Sequence, residues 1–233
     1  MQWNFAISRS TNSLLSHVCI HSLIPTAVLP IGEARANLVK SLSEDISQLE
    51  TSNSWIEEYV QANGYTVKTN VETQGVVAIR KNEGYEIRAT FRATDYTEPD
   101  AENQPENSDF EEPINEHAFF VDITAPNGKI LRVDCANAPD AELVIHGISF
   151  PDTVSDDPTA ADAPIRSNDE EAPMTEGALD FHDLEPASQE NLLDLFESLG
   201  VDDDLALFVA TQAQIVRSLN LQKDLTNLKT FLQ

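Results

Sequence analysis

The chain has 233 residues, 41% of them apolar, so it is long enough to bury one sizeable core, and wholesale disorder is excluded. Forty Asp and Glu residues oppose fourteen Lys and Arg residues, which gives a formal net charge of −26 at pH 7. Such a surface repels nucleic-acid phosphates and anionic lipid headgroups, and it attracts basic proteins and cations. No apolar run is long enough to span a membrane.

The N-terminal segment differs in composition from the rest of the chain. Residues 1–32 contain no Asp or Glu, one Arg (Arg9), several Ser and Thr, and interspersed apolar residues. This acid-poor, Ser-rich and amphipathic profile predicts a mitochondrial transit peptide. A secretory signal is the alternative, but its basic start is missing and the apolar run is broken. Removal of this leader would leave Cys135 as the one cysteine, which is typical of a reducing compartment.

Residues 33–233 are predicted to form a single domain, which begins with a helix over 33–63. Gly64 stands where a left-handed residue commonly ends a helix. One helical stripe, with a spacing close to that of a coiled coil, carries the apolar residues of this segment. Its members are Leu38, Leu42, Ile46, Leu49, Ile56 and Val60.

From Tyr65 the apolar period changes to two, which predicts β-strands. A hairpin is predicted at Asn82-Glu83-Gly84, and a type I′ turn at Asn127-Gly128. Each strand has one apolar face, so the antiparallel sheet needs a covering layer. The predicted strands are 67–71, 76–81, 85–92, 117–125, 129–136, 143–150 and a short one at 179–181.

Two helices follow the sheet. The first is predicted over 186–199 and ends at Gly200, and the second runs from an N-cap at Asp202 to about Leu232. Because the first and last helices are long and amphipathic, we expect them to pair across the sheet. The chain is therefore predicted to have an α+β fold.

Acidic residues concentrate in two segments, 95–116 and 151–177, which hold 17 of the 40 acids and are predicted to be mobile surface loops. Half of the basic residues lie in the predicted strands, so charge is segregated along the chain and is expected to be segregated in space. Carboxylates gathered in this way would steer cationic partners. The candidate partner-binding residues are Asp95, Glu98, Asp100, Glu102, Glu106, Asp109, Glu111, Glu112, Asp156, Asp157, Asp169, Glu170 and Glu171.

No catalytic, cofactor or metal motif stands out. His117, His146 and His182 lack metal-ligand spacing, and a catalytic His117 acting with nearby carboxylates is the weaker interpretation. Cys135 is on the apolar face of its strand, which predicts a buried, inert thiol. The triplet 202–204 is better explained as a helix cap than as a calcium site. Direct RNA binding, cation buffering by the loops and a carboxylate/His hydrolase remain the alternative functions.

Seven short stretches along the chain are informative through their order and spacing: Ala78-Ile79-Arg80-Lys81, Glu86-Ile87-Arg88-Ala89-Thr90-Phe91, Phe120-Val121-Asp122-Ile123, Gly128-Lys129, Val133-Asp134-Cys135, Gly200-Val201-Asp202 and Leu228-Lys229-Thr230-Phe231. Taken together they resemble the mitochondrial glycoprotein family of acidic matrix proteins, which includes the complement globular-head-binding protein. The resemblance covers about 33–233.

The resemblance implies a seven-stranded antiparallel sheet flanked by one N-terminal and two C-terminal helices, assembled as a doughnut-like homotrimer. It also implies a non-enzymatic protein of the mitochondrial matrix, without cofactors. Such a protein would act as a chaperone-like scaffold that binds basic RNA-binding or ribosomal proteins. RNA processing, translation and respiration are the processes it would support. Because the acidic loops differ from those of the animal members, complement is not expected as a partner.

Overall fold

A computed structural model describes residues 30–49, 51–97, 116–138, 140–160, 175 and 177–233. Four helices, seven strands and two short 3₁₀ turns make up this part of the chain. The helices are α1 (Ile31–Gln48), α2 (Ser54–Asn63), α3 (Pro186–Ser198) and α4 (Asp203–Leu232). The strands are β1 (Thr66–Asn70), β2 (Gly75–Asn82), β3 (Tyr85–Thr97), β4 (Glu116–Thr124), β5 (Ile130–Asn137), β6 (Leu143–Ser149) and β7 (Leu179–Asp180), and the 3₁₀ turns are Pro158–Ala160 and Phe181–Asp183.

The strands form one seven-stranded sheet in which each strand pairs with its neighbour in sequence, always antiparallel. The α+β class and the seven-stranded antiparallel sheet predicted from the sequence are therefore confirmed. One face of the sheet carries the apolar residues predicted by the period of two, including Ile87, Phe91, Val121 and Val133, which are fully buried. The first half of α4 covers this face with Leu205, Phe208, Val209 and Val216.

The terminal helices pair as predicted. α1 contacts α4, and Nη2 of Arg35 donates to the carbonyl oxygen of Gln233 at 2.7 Å. Leu42 is the buried residue of α1. Asp202 caps α4 by accepting from the amide of Leu205 at 3.0 Å, which confirms the role predicted for it.

The single helix predicted over 33–63 is wrong, because two helices occupy this segment. Leu49 is extended, with φ −71° and ψ 126°, and Asn53 begins α2 by accepting from the amide of Trp55 at 2.9 Å. An N-cap side chain in the middle of an apolar stripe therefore interrupts a pattern that is otherwise continuous. Gly64 ends α2 in the left-handed conformation, as predicted.

The hairpin predicted at Asn82-Glu83-Gly84 is confirmed, but the two hairpin turns differ in type. Glu83 and Gly84 both have positive φ (50° and 88°), as in a two-residue type I′ turn. At the β4–β5 turn only Gly128 has positive φ, and its amide donates to the carbonyl oxygen of Ala125 at 2.8 Å. The type I′ turn predicted at Asn127-Gly128 is therefore wrong. Pro126 holds its own φ negative, which favours a type I turn followed by a left-handed glycine.

The predicted loop boundaries also need correction. β3 continues through Thr97 and pairs with β4 after a register shift between Phe91 and Tyr96, so Asp95 belongs to a strand rather than to a loop. Residues 151–160 were predicted to be too polar to pack. They lie instead along β1 and β2, because Lys68 bonds to Asp156 and the hydroxyl of Thr73 donates to the carbonyl oxygen of Pro158 at 3.4 Å.

Candidate partner-binding surface

The structure describes three of the thirteen candidate partner-binding residues. Asp95 lies in β3, and Asp156 and Asp157 lie in the segment that follows β6. The other ten lie outside the described residues: Glu98, Asp100, Glu102, Glu106, Asp109, Glu111, Glu112, Asp169, Glu170 and Glu171. Of the predicted leader, residues 30–32 are described, and Ile31 and Gly32 begin α1.

Both described loop acids already have partners within the chain. Nζ of Lys68 lies 2.5 Å from Oδ2 of Asp156, and this hydrogen bond lowers the pKa of Asp156. Asp157 accepts from the amide of Thr159 at 2.9 Å, and this bond lowers the pKa of Asp157. Both carboxylates are solvent-exposed, so neither bond prevents an incoming cation from competing for them.

The basic residues of the strands are held by the protein itself. Arg80 donates to the carbonyl oxygen of Leu199 at the end of α3, and its guanidinium lies 5.3 Å from the ring centre of Tyr65. Lys81 and Arg88 both pair with Glu86, at 3.5 Å and 2.9 Å. These contacts stabilise local structure; Arg80 and Arg88 are poorly placed to receive an anionic ligand, whereas the side chain of Lys81 is 79% exposed.

The face of the sheet opposite the helices also contains buried charge. Arg132 pairs with Asp122, which is 2% exposed, and its guanidinium stacks 4.3 Å from the ring centre of Phe120. Asp134, two residues after Arg132 in β5, is fully buried and accepts two hydrogen bonds from Thr175. Burial raises the pKa of Asp134, and the bonds from Thr175 oppose that shift.

Part of the uncompensated negative charge of the described chain lies on α3. Glu190, Asp194 and Glu197 are exposed on this helix, and among the described residues no lysine or arginine pairs with them. The acidity of this surface could have been predicted from the charge balance of a longer stretch of sequence, beyond the two acidic loops. Residues 133–216 hold 20 of the 40 acids and one base, Arg166.

An apolar groove runs between α3 and the β4–β5 hairpin. Its volume is about 230 Å³, and two of its wall residues are well exposed: Phe150 (74%) and Leu195 (44%). The other residues that line it are Tyr85, Ile123, Ala125, Lys129, Ile130, Leu131 and Leu199. The sequence patterns do not predict this groove, because Phe150 stands at the end of a predicted strand and Leu195 within a predicted helix.

The residues weighed for catalysis lack a catalytic setting. His117 is fully buried and its Nε2 lies 3.4 Å from Nη1 of Arg217, so a substrate has no access to it. His146 is half-buried in β6, and His182 is exposed after β7. Cys135 is fully buried, and burial raises the pKa of its thiol well above the usual range, which confirms the predicted inert cysteine.

Within the described ranges, no group of three His, Cys, Asp or Glu residues is arranged to hold a metal ion. The helices found there are also too short or too polar to cross a bilayer.

Two solved structures of other proteins have a fold similar to this one, each with a TM-score of 0.56. One is a hypothetical protein from Leishmania major, described as a sequence homologue of human p32, which is 18% identical, with 86% of this chain and 99% of that chain covered. The other is the p22 protein of Trypanosoma brucei, which is 15% identical, with 87% and 97% covered.

At these identities the two structures support the fold alone. No curated protein matches the chain. The family description that matches is "Mitochondrial glycoprotein", and the match covers residues 39–232, nearly all of the domain described above. The chain therefore belongs to the mitochondrial glycoprotein family.

Proposed function

We propose that this protein is a non-enzymatic acidic scaffold of the mitochondrial matrix that binds basic proteins. The observation that carries the proposal is the set of unpaired carboxylates on α3, in a chain whose own cations are largely engaged. Of the described basic residues, Arg35, Lys40, Lys68, Arg80, Lys81, Arg88, Arg132, Arg217 and Lys223 each contact an acid or a backbone carbonyl.

Electrostatics makes such a surface selective for cationic partners. Among the residues that the structure describes, the three exposed acids of α3 have no counter-charge, so their field extends into solvent over about a Debye length, roughly 8 Å at physiological salt. A Lys- or Arg-rich partner is attracted along this field, whereas nucleic acid is repelled. The attraction weakens with salt, which separates it from binding that depends on apolar contact alone.

Family membership supports a mitochondrial binding or scaffold protein. Within that role we propose that residues 1–32 are removed as a transit peptide and that the mature chain forms a homotrimer. The basic partners would be RNA-binding or ribosomal proteins, through which the scaffold supports RNA processing, translation and respiration. A sedimentation mass near three times that of the mature chain is expected, and a stable monomer would contradict the trimer.

The function can be tested by co-purification from matrix extract at low and high salt. We expect recovery of Lys- and Arg-rich proteins at low salt and their release at high salt. Asp194→Asn combined with Glu197→Gln should reduce recovery. The matched control is Glu44→Gln combined with Glu72→Gln, which removes the same charge but from acids already paired with Lys40 and Lys223. Equal effects of the two pairs, or capture that ignores salt, would contradict the proposal.

A further inference from the structure

We propose that the apolar groove between α3 and the β4–β5 hairpin is where a basic partner segment inserts a leucine- or phenylalanine-sized side chain. This inference rests on the proposed function and gives it a specific contact. An acidic surface alone would bind any cationic chain. A groove beside it would select those cationic segments that also carry an apolar side chain.

The shape and chemistry of the groove favour a side chain over a small molecule. Its volume of about 230 Å³ is below the roughly 300–1,000 Å³ of typical small-molecule pockets. Except for Tyr85 and Lys129, the residues that line it have wholly apolar side chains, so few polar groups are available to orient a cofactor. Phe150 and Leu195 hold apolar surface in water, which an inserted side chain would remove.

The charge around the groove indicates which kind of partner fits. Asp194 is adjacent to Leu195, and both side chains are exposed on α3. Glu83 is exposed in the β2–β3 turn, which is held near the end of α3 because Nδ2 of Asn82 lies 3.5 Å from the carbonyl oxygen of Ser198.

The β2–β3 turn also lies close to the β4–β5 hairpin, which forms the wall of the groove opposite α3. A Cβ at Gly84 would lie 3.5 Å from Cγ of Pro126, which belongs to the β4–β5 turn. Phe150 is followed by exposed Asp152, and Lys129 is the one cation among the described residues that line the groove. Three exposed acids therefore lie within two residues of side chains that line the groove. The complementary ligand is an amphipathic segment with lysine or arginine beside an apolar residue.

The chain offers a closely matched pair of variants for testing this contact. Leu195 and Leu193 lie on the same helix and are 44% and 46% exposed, but only Leu195 lines the groove. Leu195→Asp and Leu193→Asp add the same charge at nearly the same exposure. Phe150→Ser provides a second groove variant outside the helix, at a residue exposed enough for the protein to remain folded.

The experiment compares two synthetic peptides of equal positive charge by fluorescence anisotropy with the full chain. One peptide has leucines along one helical face, and the other has serines in their place. We expect the wild-type protein to bind the leucine peptide more tightly, by about tenfold. Leu195→Asp and Phe150→Ser should remove most of this preference, while Leu193→Asp should retain it.

Three results would overturn the groove contact. The first is salt-dependent binding of both peptides without preference for leucine, which would leave the proposed function intact. The second is a preference that persists in Leu195→Asp and Phe150→Ser. The third is a change of sedimentation mass in Leu195→Asp but not in Leu193→Asp, because the groove would then hold another copy of this chain. Failure of the protein to bind either peptide would count against the proposed function as well.

Discussion

Arg132 and Asp122 form a two-point ion pair across β5 and β4, with Nε 2.7 Å from Oδ1 and Nη2 3.0 Å from Oδ2. Asp122 is 2% exposed, and the side chain of Arg132 is 21% exposed. The carboxylate is therefore removed from water and depends on the guanidinium for its compensation. A pair of this kind is costly to break from one side, since the remaining charge stays buried.

We expect Arg132→Met to lower the free energy of unfolding by about 3 kcal/mol, because Asp122 loses both of its charge-assisted bonds. The matched control is Lys40→Met, which breaks an exposed pair with Glu44 at 3.8 Å and should cost about 0–0.5 kcal/mol. Urea denaturation followed by circular dichroism measures both values. Similar losses in the two variants would show that the buried pair contributes no more than a surface one.

Gly200 and Gly64 end α3 and α2 in the same backbone conformation, with φ of 67° and 68°, but their surroundings differ. A Cβ at position 64 would meet nothing within 4 Å, whereas one at position 200 would overlap the guanidinium of Arg80, with Cζ at 2.8 Å. We expect Gly64→Ala to cost about 1 kcal/mol through backbone strain alone. Gly200→Ala should cost this strain plus what is lost when the Arg80 guanidinium shifts from the carbonyl oxygen of Leu199.

The double variant Arg80→Ala with Gly200→Ala separates the two causes. Removal of the guanidinium relieves the overlap, so the combined loss in unfolding free energy should be smaller than the sum of the single losses. Additive losses would mean that the overlap with Arg80 contributes nothing and that strain explains both glycines.

Much of this fold follows from local sequence patterns. The period of two places Val121, Val133 and Cys135 on the buried face, and the carboxylate before α4 predicts the cap at Asp202. These features depend on neighbouring residues and on which face is apolar. The pairings β1–β2, β2–β3, β4–β5 and β5–β6 follow from the short turns between such strands, whereas long segments connect β3 to β4 and β6 to β7.

The wrong predictions fall where the local conformation depends on a single polar or proline residue, or on a segment far away in the sequence. Asn53 begins a new helix within a stripe that reads as continuous, and Pro126 determines the type of the turn that includes Asn127. The packing of 151–160 depends on Lys68, 88 residues away from Asp156, and composition carries no information about such a partner. For the candidate site, the groove joins Tyr85, Phe150 and Leu195 from three separate elements, so no local pattern predicts it.

The buried carboxylate of Asp134 predicts an effect of pH on stability. Because burial raises its pKa, the folded protein holds this proton more tightly than the unfolded chain does. The tighter binding of this proton therefore stabilises the folded protein fully below the ordinary carboxyl pKa of about 4. This stabilisation is lost as pH rises through the raised pKa of Asp134. At neutral pH the charged form carries a desolvation penalty.

Asp134→Asn should therefore stabilise the protein at neutral pH relative to the wild type, and this gain should shrink as pH falls through the raised pKa of Asp134 and reach its minimum at about pH 4. The amide retains an acceptor for the Thr175 amide and gains a donor for the Thr175 hydroxyl. The measurement is the difference in midpoint denaturant concentration between the two proteins across pH. A gain that grows on acidification would reverse the sign and reject the explanation. Asp134→Ala, which leaves Thr175 without its acceptor, should lack the gain.

Lys68 and Asp156 connect β1 to the segment that follows β6, and this contact tests whether 151–160 is docked in solution. We expect Lys68→Met to accelerate amide hydrogen exchange in residues 154–160, because the ion pair at 2.5 Å is lost. The pKa of Asp156, which the bond from Lys68 lowers, should rise toward its ordinary value of about 4 in an NMR titration. In the wild type the contact is present above that range and is lost as pH falls through the lowered pKa.

Lys223→Met, which breaks the exposed pair with Glu72 at 2.9 Å, is the control and should leave exchange in 154–160 unchanged. Rapid exchange of this segment already in the wild type would mean that it is not held against β1 and β2, and Asp156 would then be as accessible to a cationic partner as the sequence predicts.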